Sequence, residues 1–502
     1  MFRRIAFLWP VLLVACAAAR EARAGENDRR PNILFVFTDD QSHRSVSCYE
    51  QAHPWVKTPH LDRLAAEGVR FASAYAGTWC LPSRAMVLSG LHPHGIHGLR
   101  VERNPISRYD PEVCRFWPAA LRKAGYQTAF IGKWHLSPDA GHGRDWDHSV
   151  VWNHAVPKEA GGYYRNQKLR FDGGPYRAVG GYSTDNYTQY AEAFLRRKHT
   201  KPWLLWLCYD AVHGPYTAAD RHEGRYRNQQ PVPTPKDVFP PRPDKPLYMR
   251  NYGVWTRGGG GLPVRGRMTL PEWVRKYNRA ALAIDEGVGR LVKALEETGQ
   301  LDDTLVVYTS DQGFAWGQHG FAWKVAPYDA NLRVPLIVRL PGRVARGKVC
   351  RRPVCALDLV ATFWALAGAP PPWKLDGHDL SPILKDPEAP WPHPVMMEHF
   401  RWEFGSQTDG ARTGDASLGG VPWYVFLRQG RYKYIRYLLE HEIEELYDLE
   451  VDPQELHNLA GDPQHHKTLA DLRRRLADEL RRTGARLVKD LPEPKVAGAA
   501  EK

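Results

Sequence analysis

The chain has 502 residues, 43% of them hydrophobic, and a formal charge of +13. It is long enough for a large core plus a smaller unit, and no repeat period is evident. Seven cysteines in this length rule out a small disulfide framework, and the Lys and Arg residues are scattered without a basic helix or known module, which argues against a nucleic-acid partner.

The basic balance instead suits an anionic substrate. The N-terminus reads as an export signal. Arg3 and Arg4 precede an apolar run, Ile5 to Cys16, too short for a membrane span, and Ala22-Arg23-Ala24 has the small-x-small form of a cleavage site. Removing residues 1–24 takes away four arginines and Glu21 and leaves about +10. The mature chain is then expected outside the cytoplasm, periplasmic or secreted, with no integral membrane span. Leu13-Val14-Ala15-Cys16 also resembles a bacterial lipoprotein box, which would tether the chain through a lipidated Cys16.

Ile33 to Thr38 is a continuous apolar run of strand length, expected as a buried parallel strand, with Asp39 and Asp40 at its carboxyl end. Thr58 to Gly68 has a helix start, apolar spacing and a glycine stop. Val69 to Tyr75 reads as a strand leading into a loop and then a short helix, Pro82 to Ser89. Proline suits a first helical turn, so Cys80 sits at a helix N-terminus in a positive field, with Arg84 one turn on. A sulfur beside a guanidinium and free backbone N–H groups suits an anion; a buried cysteine at a loop–helix junction is the plainer reading.

A helix near Phe116 to Ala124 and a strand from Tyr126 to Ile131 follow. At that strand's end, Lys133 and His135 point to one face. Residues 136–182, rich in Gly, Tyr, Trp and His, read as an irregular surface excursion. Next come a helix, Thr184 to Arg197, and a third buried strand, Trp203 to Tyr209, with His213 just beyond. Residues 214–268 read as a mobile insertion on the active face. The helix Pro271 to Thr298 leads to the strand Thr304 to Thr309, then Asp311 and Gln312. A strand, Val334 to Leu340, and a helix, Asp358 to Ala367, follow. Cys350 and Cys355 are close enough in sequence to pair in an oxidising compartment.

From about 390 the pattern changes to a hairpin, Val421 to Arg428 with Arg431 to Arg436, then Glu445 to Leu449 and a terminal helix near His466 to Lys489. The expected fold is therefore α/β: a large mixed, mostly parallel sheet flanked by helices, with a small C-terminal antiparallel sheet plus helix. The expected organisation is a signal at 1–24, an α/β unit at 25–389 and an α+β unit at 390–502.

Four strands end in polar clusters: Asp39/Asp40, Lys133/His135, His213 and Asp311/Gln312. Taken singly these read as turns, caps or surface charges. Together they lie where open α/β sheets bind ligands, outside the carboxyl ends of the strands. Three carboxylates and an amide carbonyl suit a hard divalent cation such as Ca2+ or Mg2+, and no His/Cys spacing suggests zinc. Arg84, Lys133 and Lys324 would surround an anion, and the histidines would move protons.

The set resembles the formylglycine-dependent sulfatases of the alkaline-phosphatase-like superfamily. The resemblance rests on Cys80-x-Pro82-Ser83-Arg84, Asn32 to Asp40, Gly132-Lys133-Trp134-His135, Ser310-Asp311-Gln312-Gly313, Gly317-Gln318-His319-Gly320, Lys324 and the tail Glu445-Leu446-Tyr447-Asp448-Leu449. It implies that a formylglycine-generating maturation enzyme oxidises Cys80 to formylglycine (3-oxoalanine), whose gem-diol attacks the sulfur of a sulfate ester. It also implies that Asp39, Asp40, Asp311, Gln312 and the modified Cys80 bind one divalent cation, Ca2+ ahead of Mg2+. Arg84 would then steady the gem-diol, Lys133 and Lys324 would bind sulfate oxygens, His135 would assist the hydroxyl, and His213 would protonate the leaving oxygen. Gln312 stands where Asn or His is commoner.

The expected substrate is a sulfated small molecule or polysaccharide. The rival readings are a phosphate or phosphonate ester hydrolase on the same scaffold, and a non-catalytic protein that binds sulfated glycans with Cys80 as a thiol. Loops 136–182, 214–268 and 399–420 are expected to set specificity, with Trp316, His319 and Trp323 at the rim.

Overall fold

A computed structural model describes residues 30–103, 106–227, 231–400 and 417–496. The expected signal at 1–24, the tether at Cys16 and residues 401–416 of the loop 399–420 lie outside the described residues.

Ten strands form one sheet, in the order Lys348–Cys350, Val69–Phe71, Leu336–Arg339, Thr304–Ser310, Asn32–Thr38, Trp203–Cys208, Gln127–Trp134, His148–Asn153, Gln167–Phe171 and Tyr176–Val179. The five strands from Thr304–Ser310 across to His148–Asn153 are parallel to their neighbours. The flanks are antiparallel, apart from the outermost pair beside Val69–Phe71. In Asn32–Thr38, Ile33, Phe35 and Phe37 enter one core layer and Leu34 and Val36 the other. Such a strand is buried on both faces, which is why it reads as an unbroken apolar run rather than an alternation.

Helices cover both faces. Leu270–Glu297, Ser183–Leu195 and Pro59–Ala66 supply the layer that takes Leu34 and Val36. Cys80–Ser89, Trp117–Lys123 and Ala356–Leu366 supply the other. The long helix starts on a capping box, with the Thr269 hydroxyl and the Glu272 carboxylate each accepting from the other's backbone N–H.

The C-terminal sheet is antiparallel, in the order Val395–His399, Tyr424–Gln429, Tyr432–Tyr437 and Glu445–Asp448. Its alternation sorts the two faces. Met396, Val425, Leu427, Tyr434 and Leu446 pack on Leu469, Leu472, Leu476 and Leu480 of the helix His466–Thr483. Val395, Met397, Tyr424, Phe426, Ile435, Tyr437 and Tyr447 join the core of the large sheet instead.

Several expectations need correction. Residues 136–182 are not an irregular excursion: three of their segments extend the main sheet, and Trp146 and Trp152 are buried core. Val69 to Tyr75 is two strands in different sheets, Val69–Phe71 and Ala74–Tyr75. Val334 to Leu340 is likewise divided at Pro335, whose missing N–H cannot continue a ladder. The terminal helix stops at Thr483 on a left-handed Gly484. Cys350 and Cys355 are separate, free, buried thiols.

Candidate active site

The site is assembled at the carboxyl ends of four adjacent parallel strands. Asn32–Thr38 delivers Asp39 and Asp40, and Thr304–Ser310 delivers Asp311 and Gln312. The two ends are stitched together: Asp311 N–H donates to Thr38 O at 3.0 Å, and Asp40 N–H donates to Asp311 Oδ1 at 3.0 Å. Asp40 adopts a left-handed backbone (φ 57°), which Asp tolerates better than most residues. Trp203–Cys208 leads to His213, and Gln127–Trp134 carries Lys133 and leads to His135.

Cys80 is the first residue of the helix Cys80–Ser89, two residues earlier than the proline pattern predicts. Its sulfur is buried and lies 2.9 Å from Lys324 Nζ, which also donates to Asp40 Oδ1 at 2.6 Å. Burial pushes the Cys80 thiol up to about 12. Arg84, one turn along, is buried too. Its guanidinium donates to Lys133 O at 3.0 Å, Asp311 Oδ2 at 3.0 Å and Asp39 Oδ2 at 3.3 Å. A fixed fork reaching three acceptors on three strands suits arginine and no other residue.

Lys133 Nζ donates to Asp39 Oδ2 and, at 2.8 Å, to the Tyr163 hydroxyl. Burial alone would raise the Asp39 carboxyl, but Lys133, His213, Arg84 and Lys324 together hold it well below the usual carboxylate range. Asp311 goes the other way: burial and the neighbouring Asp39 charge push it up. Burial, with His154, Lys133 and Arg84 beside it, keeps His135 well below an ordinary histidine. His213 is the most open of the set, with 27% of its side chain exposed. Its Nδ1 lies 2.9 Å from Gly214 O, its Nε2 lies 3.8 Å from Asp40 Oδ2, and its ring stacks on Tyr163 at 4.8 Å.

These residues fit a hard divalent cation. Asp39, Asp40 and Asp311 each bring a carboxylate oxygen within 4.8 Å of the other two. Asp39 Oδ1 is buried with no hydrogen-bond partner, although Oδ2 of the same group is heavily used. A buried anionic oxygen without a donor is costly unless a cation completes it. Gln312 presents its amide nitrogen to Asp40 Oδ1, and its carbonyl lies 3.5 Å from Ser83 Oγ. Ligation through that carbonyl requires the amide turned over.

Every site residue expected from the sequence therefore converges here. Two neighbours were not foreseen: Tyr163, which bridges Lys133 and His213, and His154, whose ring meets His135 at 4.5 Å. Both belong to 136–182, and the only signal in the sequence was that segment's density of aromatic residues. Trp316 and His319 are not rim residues. Trp316 is buried under the Arg44 guanidinium, and His319 is buried against Asp237. Trp323 is half-buried, with Lys324 over its ring.

The family model described as Sulfatase matches residues 31–369, and the model for the C-terminal part of N-sulphoglucosamine sulphohydrolase matches residues 317–482. An N-acetylglucosamine-6-O-sulfatase of Bacteroides thetaiotaomicron is 29% identical over 467 residues, covering 81% of this chain and 80% of that protein. The N-acetylglucosamine-6-sulfatase of Homo sapiens is 30% identical over 415 residues, covering 78% and 70%. A solved structure of a protein in complex with its substrate D-glucosamine-2-N,6-O-disulfate superposes with a TM-score of 0.76 at 27% identity, covering 91% of this chain and 98% of that one. The chain belongs to the sulfatase family and is a sulfuric ester hydrolase.

Proposed function

We propose that this sulfatase removes a sulfate ester from a sulfated carbohydrate, with glucosamine-type 6-sulfates the first class to test. The reading rests on formylglycine made from Cys80 and on one divalent cation, Ca2+ ahead of Mg2+. Asp39, Asp40, Asp311, Gln312 and the modified Cys80 would hold the cation. One observation carries it: a residue at the centre of a buried ionic cluster is a thiol with its pKa raised to about 12. Such a thiol is almost wholly protonated at neutral pH and is a poor nucleophile. The position makes chemical sense once the sulfur is replaced by an oxygen nucleophile.

When bound, the cation supplies Lewis-acid charge to the nucleophile and the sulfate oxygens. The chain's own groups do the rest. Asp39, Asp40 and Asp311 balance Arg84, Lys133 and Lys324 in formal charge. An anion entering this neutral cluster needs further positive charge, in keeping with a dication. Lys133 and Lys324 are fixed in advance by carboxylates and turn their remaining N–H bonds to sulfate oxygens as these gain charge. His135, kept neutral by burial and nearby cations, accepts a proton. His213, whose Nδ1–H is held by Gly214 O, would enter the step as the imidazolium, a form that burial opposes and Asp40 favours, and donate its Nε2 proton to the departing sugar oxygen. Arg84 and Tyr163 position these groups.

The sugar class is supported by the N-acetylglucosamine-6-sulfatase relatives and by the glucosamine disulfate bound in the similar structure. We place the catalytic unit at 25–389 and the accessory unit at 390–502, in a protein exported by the segment 1–24 or tethered at Cys16. Among the described residues no helix is long and apolar enough to cross a membrane. The test is the mass of the tryptic peptide Phe71–Arg84 from a host with the maturation enzyme, with sulfate release from glucosamine 6-sulfate. An aldehyde-bearing peptide and activity that Cys80→Ala abolishes are expected. A thiol peptide with no hydrolysis would overturn the reading.

A further inference from the structure

A groove of about 900 Å3 opens beside the catalytic cluster, near the upper end of the roughly 300–1,000 Å3 of small-molecule sites. Arg227, Arg265, Arg267, Arg275, Lys276 and Arg279 line it, against only Glu223 and Glu272. Glu272 is already committed to the start of the long helix, where it accepts from Thr269 N and Oγ1 at 2.8 Å each. Among the described residues, Arg227, Arg265, Arg267 and Lys276 form no ion pair. Like charges crowd one another here: burial first, then Arg227 and Arg275, push Arg279 below its ordinary value.

The groove comes nearest the site at Tyr216. This residue lines the groove, its N–H donates to His213 O at 3.2 Å, and its ring lies 5.6 Å from that of Tyr277. The Tyr277 hydroxyl in turn donates to Asp40 O. Tyr216 feels Asp40 and Lys324 from the catalytic side and Arg265 from the groove side. A ligand lying past Tyr216 therefore leaves the catalytic cluster and enters a field of uncompensated positive charge.

We infer that this groove is a second anion-binding region, which holds the neighbouring sulfate and carboxylate groups of a polyanionic glycan chain while one sulfate of that chain lies at the catalytic cluster. This rests on the sulfated-carbohydrate reading above and makes the preferred substrate a chain rather than a monosaccharide. Single-stranded nucleic acid fits less well. The tyrosine rings of the groove are already engaged, Tyr226 buried against Trp55 and Tyr216 packed by Trp273, Tyr277 and Phe314, so they are poor platforms for stacking bases.

The test separates binding from catalysis. In a Cys80→Ala background, which leaves the probe intact, a fluorescent heparin octasaccharide is titrated against the protein and against the same protein carrying Arg265→Glu, Arg267→Glu and Lys276→Glu. Surface charges are worth little singly but add over a polyanion. The expected outcome is about tenfold weaker binding and a flatter salt dependence in the triple variant. A parallel set with glutamine at the three positions should fall between the two, at an unchanged melting temperature. With Cys80 restored, the triple variant should retain its rate on glucosamine 6-sulfate and lose it on the octasaccharide. Equal octasaccharide binding by both proteins would overturn the inference, as would tighter binding of single-stranded DNA of equal charge. Failure of the wild type to release sulfate from either substrate would strike the catalytic reading alone, because the binding arm does not depend on it.

Discussion

His94 joins three parts of the molecule and gives a stability that depends on pH. It lies in the turn Pro93–Gly95. Its Nδ1 is 2.6 Å from Glu398 Oε1 in the C-terminal sheet, and its Nε2 is 3.2 Å from Thr483 O at the end of the terminal helix. Burial opposes a charge on this ring, but Glu398 outweighs it and raises the pKa to about 9. A folded pKa above the unfolded 6.5 stabilises fully below pH 6.5, and that contribution is lost as pH rises through 9. The rise converts to about 3 kcal/mol of pH-dependent stability. For a chain of this size that is about 3 °C in melting temperature. We expect His94→Gln to melt about 3 °C below wild type at pH 6 and within about 1 °C of it at pH 10. Comparing the two proteins at each pH cancels the histidines remote from position 94, and His92, whose ring stacks on His94 at 5.9 Å, is held well below the ordinary histidine range chiefly by burial. A gap of the same size at both pH values would show that His94 is not charged in the fold and would refute the argument.

His213→Ala should slow release from glucosamine 6-sulfate by about 10²–10⁴-fold yet slow 4-nitrophenyl sulfate far less, because a nitrophenolate leaves without a proton; equal losses on both substrates would remove His213 from the leaving-group role. Tyr163→Phe, which deletes the hydroxyl that accepts from Lys133, should lower kcat by about tenfold with little change in KM, measured by steady-state kinetics. Arg84→Met leaves the buried Asp311 carboxylate without its guanidinium and Asp39 with only the Lys133 ion pair, and should cost about 3–5 kcal/mol in urea unfolding. Dialysis against a chelator should abolish activity, Ca2+ should restore it, and Ca2+ at 100 times its Kd should add about 3 kcal/mol of stability, seen as a higher melting temperature.

The central strands and their carboxyl-end residues were legible because a strand buried on both faces carries an unbroken apolar signal, as Ile33 to Phe37 and Trp203 to Cys208 do. The short ladders were not. His148–Asn153 mixes His, Ser and Asn with Val and Trp, and its place in the sheet is fixed by pairing with Ala129 to Trp134 rather than by its own pattern. Tyr163 was illegible for the same reason: it lies in the connection from His148–Asn153 to Gln167–Phe171 and meets Lys133 only because the first of these strands pairs beside Gln127–Trp134. The division at Pro335 was written in the sequence and passed over. The role of Gly68 needed coordinates, since a Cβ there would lie 2.2 Å from Val338 O on a neighbouring strand.

The contact between Cys80 and Lys324 also sets a clock. The two residues are 244 positions apart, and the sulfur lies in the folded interior. On the proposed formylglycine reading, an enzyme that oxidises Cys80 would have to reach it while the helix Cys80–Ser89 is still uncovered. At a synthesis rate of about 5–20 residues per second, residue 324 leaves the ribosome roughly 10–50 s after residue 80. Until then the Lys324 contact with the sulfur cannot form. On that reading oxidation would compete with folding for one interval, and a variant that folds faster around Cys80 would yield more protein that is correctly folded and inactive.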